Sequence, residues 1–164
     1  MLSRLKEAAQ IAKENGVTIA LDVADPFVVK AVTAEMKQFI ADYCDMVFLN
    51  EEEAKAITGS EDATDAIDEL KAICDTIVVK LGKRGAVVYS KGQRAEAGVF
   101  SVTPIDTTGA GDSFAAGFLY GWTHGYTLER SLKLASRIAA ETIVQVGAVV
   151  RTPNTLRGLL AEID

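Results

Sequence analysis

The sequence has few of the residues that build metal clusters or covalent frameworks: two cysteines, one histidine and one tryptophan in 164 positions. Cys44 and Cys74 stand far apart at a spacing that matches neither a zinc-ligand pattern nor a disulfide framework, so both read as small buried hydrophobes. Only three prolines occur, and no Pro/Gly/Ser-rich tract or internal repeat marks a linker, so a single domain over residues 1–164 is expected. Positive charge is also scarce. Seventeen Lys and Arg face 23 Asp and Glu, a formal charge of −6 with no basic run, which argues against a hold on nucleic acid or an anionic lipid surface. The longest uncharged stretch, Ser113 to Leu128, is 16 residues long and broken by Gly117, Gly121, His124 and Gly125, short of the roughly 18 apolar residues of a membrane span. The N-terminal segment spaces Leu2, Leu5, Ala9 and Ala12 as an amphipathic helix and has no secretory apolar core, so a cytoplasmic location is expected.

What is present is an alternation of strand and helix patterns, with 49% hydrophobic residues to fill a core. Short β-branched runs recur at Val17–Leu21, Met46–Leu49 and Thr76–Leu81, with helical periodicity between them, the rhythm of parallel βα units. Val17–Leu21 is apolar on both faces, as in an interior parallel strand. Val28 to Tyr43 predicts one helix with a stripe of Val29, Val32, Met36, Phe39 and Ile40. Asp25-Pro26 reads as its entry, with Asp as cap and Pro in the first turn. Breaks at Gly82–Gly85 and at Lys91-Gly92 predict hairpin-connected strands at a sheet edge, Ala86–Tyr89 and Val99–Val102. From Gly111 onward come two helices rich in Ala, Gly and Ser, then Thr152-Pro153 opening a terminal helix to Ile163. The expected fold is a three-layer α/β sandwich with a mostly parallel sheet flanked by helices. His124 lies in a Gly-flanked loop without a metal or nucleophile partner and reads as a surface residue.

The densest chemical signal is Asp106-Thr107-Thr108-Gly109-Ala110-Gly111-Asp112, followed directly by an apolar helix. The small residues Gly109, Ala110 and Gly111 at a helix start let consecutive backbone N–H groups converge on one point, where the helix dipole favours negative charge. Asp112, on the first turn, would stand beside the same anion, able to take a proton from a hydroxyl attacking a bound phosphate. The plainer reading, a glycine turn into a helix with Asp at the favourable dipole end, uses the same residues. Neither a Walker A loop nor a dinucleotide fingerprint is present, since Phe114 stands at the third glycine position of the latter.

DTTGAGDSFAAGF resembles the signature of the ribokinase, or PfkB, carbohydrate and nucleoside kinases. Asn50-Glu51-Glu52-Glu53 is similar to that family's N-x-x-E motif, and the resemblance implies that Asn50 and Glu53 hold magnesium through water. The same spacing at a strand-to-helix junction is also a capping box. Lys80-Leu81-Gly82-Lys83-Arg84-Gly85 resembles the family's T-L-G-x-x-G loop around the nucleotide phosphates, which assigns Lys80, Gly82 and Gly85 to ATP. Lys80 departs from the usual Thr, and a hairpin turn gives the same glycine pattern. SRIAAETIVQVG, residues 136–147, is similar to the helix beside the adenine. It implies Ser136 near the base and, with Asp106 and Thr108, Thr142, Gln145 and Gly147 around a monovalent cation such as potassium. Small residues packed against a helix partner give this pattern too. The strand end Ile19–Phe27 is similar to that of the adenosine-kinase-like branch.

The resemblance covers nearly the whole chain but only the C-terminal half of a relative. It implies a ribokinase-like fold and a partial kinase domain that lacks the sugar-binding half and its lid. The implied activity is transfer of the γ-phosphoryl group of Mg-ATP to a hydroxyl of a sugar or nucleoside, with Asp112 as base. The alternative is a catalytically silent nucleotide-binding or interaction fragment. A strand edge left uncovered in this way implies a homo-oligomer or a separate N-terminal half as partner.

Overall fold

In the computed structural model residues 2–23, 25–150 and 157–160 are described. The elements run α1 (Leu2–Glu14), β1 (Ala20–Asp22), α2 (Pro26–Ala31), α3 (Thr33–Tyr43), β2 (Met46–Asn50), α4 (Glu51–Thr58), α5 (Asp65–Leu70) and β3 (Thr76–Lys80). A single 3₁₀ turn (Gly82–Arg84) leads to β4 (Ala86–Ser90), β5 (Gln93–Ala97), α6 (Ala110–Thr123) and α7 (Leu128–Ile143). The five strands form one sheet in the order β1-β2-β3-β4-β5. The pairing of β1 with β2 is parallel, with Ala20 opposite Met46 and Asp22 opposite Phe48. The Thr76 N–H donates to the Asp45 carbonyl at 3.2 Å, which brings β3 alongside β2 in the same direction. Direction then reverses. The end of β4 lies beside the start of β3, where Ser90 and Thr76 share a 2.8 Å hydroxyl hydrogen bond and Lys91 N–H donates to the Asp75 carbonyl. Lys91 and Gly92, both with positive φ (47° and 87°), then turn the chain into β5. The sheet is therefore α/β in connection and mostly parallel where helices intervene.

The chain divides into two compact units, one built on residues up to Val79 together with Tyr89–Gln93, the other on Lys80–Val88 and the chain from Arg94 onward. In the first, β2 and β3 bury four consecutive residues each, Met46–Leu49 and Thr76–Val79, the signature of strands covered on both faces. Phe39 and Ile40 of α3, Ala54 and Ile57 of α4, and Ala66, Ile67 and Leu70 of α5 complete this core. Cys44 and Cys74 are free and buried, as expected, and burial pushes the Cys44 thiol up to about 12. In the second unit α6 and α7 pack backbone against backbone. A side-chain carbon at Gly117 would lie 2.8 Å from the Ala135 Cα, and one at Gly121 2.7 Å from the Ser131 Oγ. Only glycine permits that approach at these two positions.

Several expectations are corrected. The first strand is Ala20–Asp22 rather than Val17–Leu21, and it is an edge strand with Ala20 and Asp22 exposed. The pairing begins only after Ile19, whose N–H is taken by the Asp45 carboxylate at 2.8 Å. The expected helix over Val28–Tyr43 is two helices: Val32 swings to φ −137°, and the Thr33 hydroxyl donates to the Val29 carbonyl at 2.7 Å, closing α2 locally. Asp25 caps α2 as expected, accepting from the Phe27 N–H at 2.7 Å, with Pro26 in the first turn. The last strand is the polar Gln93–Ala97, not Val99–Val102, because the two-residue turn at Lys91-Gly92 commits the next residues to pairing whatever their hydropathy. Of the expected helix from Thr152 to Ile163, residues 157–160 are helical and the rest lies outside the described residues. His124 is exposed, its ring stacked on Tyr120 at 3.9 Å. Among the described residues no helix is long and apolar enough to cross a membrane.

Candidate anion-binding site at the start of the sixth helix

The entrance to α6 is shaped by one carboxylate and one glycine. Asp106 accepts from the Thr108 N–H at 2.9 Å and from the Gly147 N–H at 3.0 Å, so it ties the loop before α6 to the turn after α7. The Ile143 carbonyl strengthens the tie by accepting from the N–H groups of Ile105 and Asp106. The Thr108 hydroxyl and the Gly147 and Thr108 N–H groups hold the Asp106 carboxyl down to about 2. Gly109 is the cap of α6, at φ 76°, and a Cβ there would stand 2.5 Å from the Ala148 carbonyl oxygen and 2.6 Å from its Cβ. Glycine is therefore required twice over, for the dihedral and for the space.

With glycine at the cap, no side chain closes the helix end. The Ala110 N–H turns back to the Thr107 carbonyl, and Ser113 N–H donates to the Gly109 carbonyl to start the helix. Between them the N–H groups of Gly111 and Asp112 lie in the first turn, where an α-helix offers its donors no internal acceptor. These donors lie at the positive end of the 14-residue helix, where negative charge is favoured. Asp112 is exposed on the same turn. Lys80, the last residue of β3, carries its Nζ to within 3.5 Å of the point where a Gly111 side chain would begin. The following residues form a 3₁₀ turn closed by Leu81 N–H to the Gly85 carbonyl at 2.7 Å. Gly82 and Gly85 both have positive φ, and a Cβ at Gly85 would lie 2.0 Å from the Ala97 oxygen.

The remaining residues fall into three groups. Gly147 joins Asp106 and Thr108 in the latch, and Gln145 sits half-buried in the turn beside it. Thr142 is fully buried, and its hydroxyl lies 2.9 Å from the Ser113 Oγ and 3.1 Å from the Ile138 carbonyl, which makes it a tie between α6 and α7. Ser136 is 7% exposed on α7, next to the close contact at Ala135. Asn50 and Glu53 belong to the other unit and form the full capping box of α4. Asn50 Oδ1 accepts from the Glu53 N–H at 2.9 Å, and Glu53 Oε2 accepts from the Asn50 N–H at 2.7 Å. The Asn50 amide also donates to Glu53 Oε1 at 2.6 Å. Each carboxylate oxygen of the buried Glu53 thus accepts a hydrogen bond within the capping box. Among the described residues no group of three or more His, Cys, Asp or Glu side chains is placed to hold a metal. The ionised Asp106 fits a monovalent cation by charge, with one hydrogen bond from a backbone N–H on each oxygen. Sequence reasoning missed Ser113 and Ala148. The only signal was their small size at positions that face close neighbours.

Residues 2–155 match the family described as pfkB family carbohydrate kinase. The chain is 32% identical to the ribokinase of Haemophilus influenzae over 159 residues, 93% of this chain and 50% of that protein. The crystal structure of adenosine kinase from Sinorhizobium meliloti superposes with a TM-score of 0.90 at 33% identity, covering 98% of this chain and 49% of that one. A fructokinase double mutant from Vibrio cholerae, bound to fructose, ADP and potassium, gives a TM-score of 0.78 at 26% identity over 96% of this chain and 55% of that one. The chain therefore spans about half the length of the relatives it matches. The likeness bears out the ribokinase-like α/β fold class.

The depressed acidity of Asp106 makes its latch testable by pH. A carboxyl whose folded value lies below its unfolded value contributes stability above about pH 4 and loses it as pH falls through the folded value. The amide resonances of Thr108 and Gly147 are expected to titrate together near about pH 2. A shared midpoint at the ordinary carboxylate value of about 4 would show that the latch is not formed.

Proposed function

Because the chain belongs to the pfkB family of carbohydrate kinases, we propose that it carries the nucleotide-binding half of an ATP-dependent kinase. That kinase transfers the γ-phosphoryl group to a hydroxyl of a sugar or nucleoside. The observation that carries this reading is the uncapped first turn of α6 with the Asp112 carboxylate upon it. The acceptor oxygen attacks the γ-phosphorus, the new O–P bond forms as the bond to the β–γ bridging oxygen breaks, and ADP departs with that electron pair. Asp112 takes the hydroxyl proton as the oxygen becomes bonded to phosphorus. The turn Gly109-Ala110-Gly111, which leaves the N–H of Gly111 open together with that of Asp112 while the Ala110 N–H is held by the Thr107 carbonyl, faces the negative charge spread over the transferring group. Gly82 and Gly85 let the backbone of their turn approach the remaining phosphates. The resemblance assigns a magnesium ion to Asn50 and Glu53, which would orient its water shell; such an ion would supply positive charge to neutralise phosphate oxygens. Asp106, Thr108, Gln145 and Gly147, with Thr142 behind them, surround a potassium site, a role supported by the potassium-bound fructokinase. Ser136 lies toward the adenine, and the enzyme works in the cytoplasm.

A second reading, a fragment that binds nucleotide without transferring phosphate, is favoured by the half-length match. Asp112→Asn separates the two. The amide keeps the size of the side chain but cannot accept the proton, so ATP affinity should stay within a few-fold while transfer falls by about 10² to 10⁴. The assay is run on a panel of sugars and nucleosides, with and without a polypeptide carrying the other half of a relative. Transfer by the variant at the wild-type rate would remove Asp112 from catalysis, and nucleotide binding with no transfer by wild-type protein under either condition establishes the second reading.

The partner follows from the edge strand. Among the described residues β1 pairs only with β2, and Leu5, Ile11 and Val17 before it in the chain and Phe27 and Val28 after it are exposed, Phe27 to 84%. Exposed apolar residues beside an unpaired strand template association. The 164-residue chain should form a homo-oligomer through this edge or bind a separate N-terminal half. Light scattering that finds a folded, monodisperse monomer of 17.5 kDa, unchanged on adding that half, contradicts the assignment.

A further inference from the structure

We infer that Thr142 is a positioning residue for the base: its buried hydroxyl, bonded to Ser113, holds the first turn of α6 at the roll that aims the Asp112 carboxylate at the acceptor hydroxyl. The inference rests on the reading of Asp112 as base and adds to it a side chain from the neighbouring helix. Thr142 is fully buried, and its hydroxyl lies 2.9 Å from the Ser113 Oγ and 3.1 Å from the Ile138 carbonyl. A hydroxyl has one proton to give and two lone pairs to offer. Where Thr142 donates to Ser113 the bond is direct, and where it donates to Ile138 the Ser113 hydroxyl donates to Thr142 instead. The bond between the helices stands in both cases. Ser113 follows Asp112 in the chain, and its N–H donates to the Gly109 carbonyl at 2.9 Å, the bond that starts the helix.

That turn lacks the usual fastening. Its cap is a glycine that makes no side-chain hydrogen bond, and helix ends are where fraying begins. Asp112 is exposed, so its direction follows the backbone of the turn, and the backbone follows the anchored Ser113. The tie is not needed to hold α6 against α7, because the close contacts of Gly117 with Ala135 and of Gly121 with Ser131 do that further along. Ser131 makes the contrast. It is as deeply buried as Thr142 and faces the same helix, yet its hydroxyl has no hydrogen-bond partner. The polar bond is thus placed at the turn that carries the carboxylate. A base displaced slightly from its proton loses rate steeply, so a tie that fixes its direction acts on turnover rather than on nucleotide binding.

The test measures kcat and the KM for ATP at several potassium concentrations, on the chain alone and with a polypeptide carrying the other half of a relative. Thr142→Val keeps the branching of the side chain and removes the hydroxyl, and Ser113→Ala removes the other end of the bond. Each is expected to lower kcat by about tenfold and to leave the KM for ATP within about twofold. Thr142→Ser, which keeps the hydroxyl, should restore most of the rate. The double variant should be no slower than either single one, because both changes remove the same bond. Ser131→Ala, in the same helix pair, should turn over at the wild-type rate. Amide hydrogen exchange gives a readout apart from activity: the Ser113 N–H should lose protection in Thr142→Val and keep it in Ser131→Ala. Wild-type kcat in whichever of Thr142→Val and Ser113→Ala folds, additive losses in the double variant, or a loss reversed by more potassium would overturn the role of Thr142 while leaving Asp112 as base. Transfer by Asp112→Asn at the wild-type rate, or no transfer by wild-type protein under either condition, overturns the reading of Asp112 and this inference with it.

Discussion

The contact between Gly109 and Ala148 is the constraint on which the candidate site depends. With the Ala148 carbonyl oxygen 2.5 Å from where a side chain would begin, and with a left-handed dihedral at the same residue, α6 can start there only on glycine. A glycine cap has no side-chain oxygen to offer the helix, which leaves the donors of Gly111 and Asp112 in the first turn without a capping side chain. The most stabilising local choice, Ser, Thr, Asp or Asn at the cap, is excluded by the packing. The Asp106 latch makes that packing durable, since it binds the stretch before α6 to the turn that carries Ala148.

The same economy of size governs the two helices behind the site. Gly117 and Gly121 bring α6 against Ala135 and Ser131 of α7 with no side chain between. The buried Thr142 hydroxyl crosses to Ser113 one turn above the Gly109 cap. A helix whose first turn must present donors in a fixed direction gains from being held at close range along its length. The small-residue pattern of this stretch therefore has a packing explanation that is sufficient without any ligand, and the candidate anion site depends on that packing.

Much of this was legible in the sequence, and the reasons for what was not are physical. The buried strands Met46–Leu49 and Thr76–Val79 announced themselves as unbroken apolar runs, and the capping box at Asn50 and Glu53 followed from its spacing. β5 was missed because Gln93–Ala97 is a polar edge strand placed by its turn, whereas Val99 and Val102, which look like strand residues, are left outside the sheet. The break at Val32 was invisible to periodicity, since its apolar stripe continues through it, and only the Thr33 hydroxyl marks the point. Lys80 could be placed in the nucleotide loop by resemblance, but its reach to Gly111 depends on the path of a long side chain that spacing does not determine. The resemblance suggested Thr142 as a ligand, and its hydroxyl also joins two helices, a contact that spacing does not reveal.

The claim at the centre of this account is that the open end of α6 binds phosphate oxygens. Titrating isotope-labelled chain with ATP and following its backbone amide resonances tests that claim directly. The largest shifts are expected at Gly111 and Asp112, accompanied by Gly82 to Gly85. ATP binding that leaves those amides in place and moves others would contradict it.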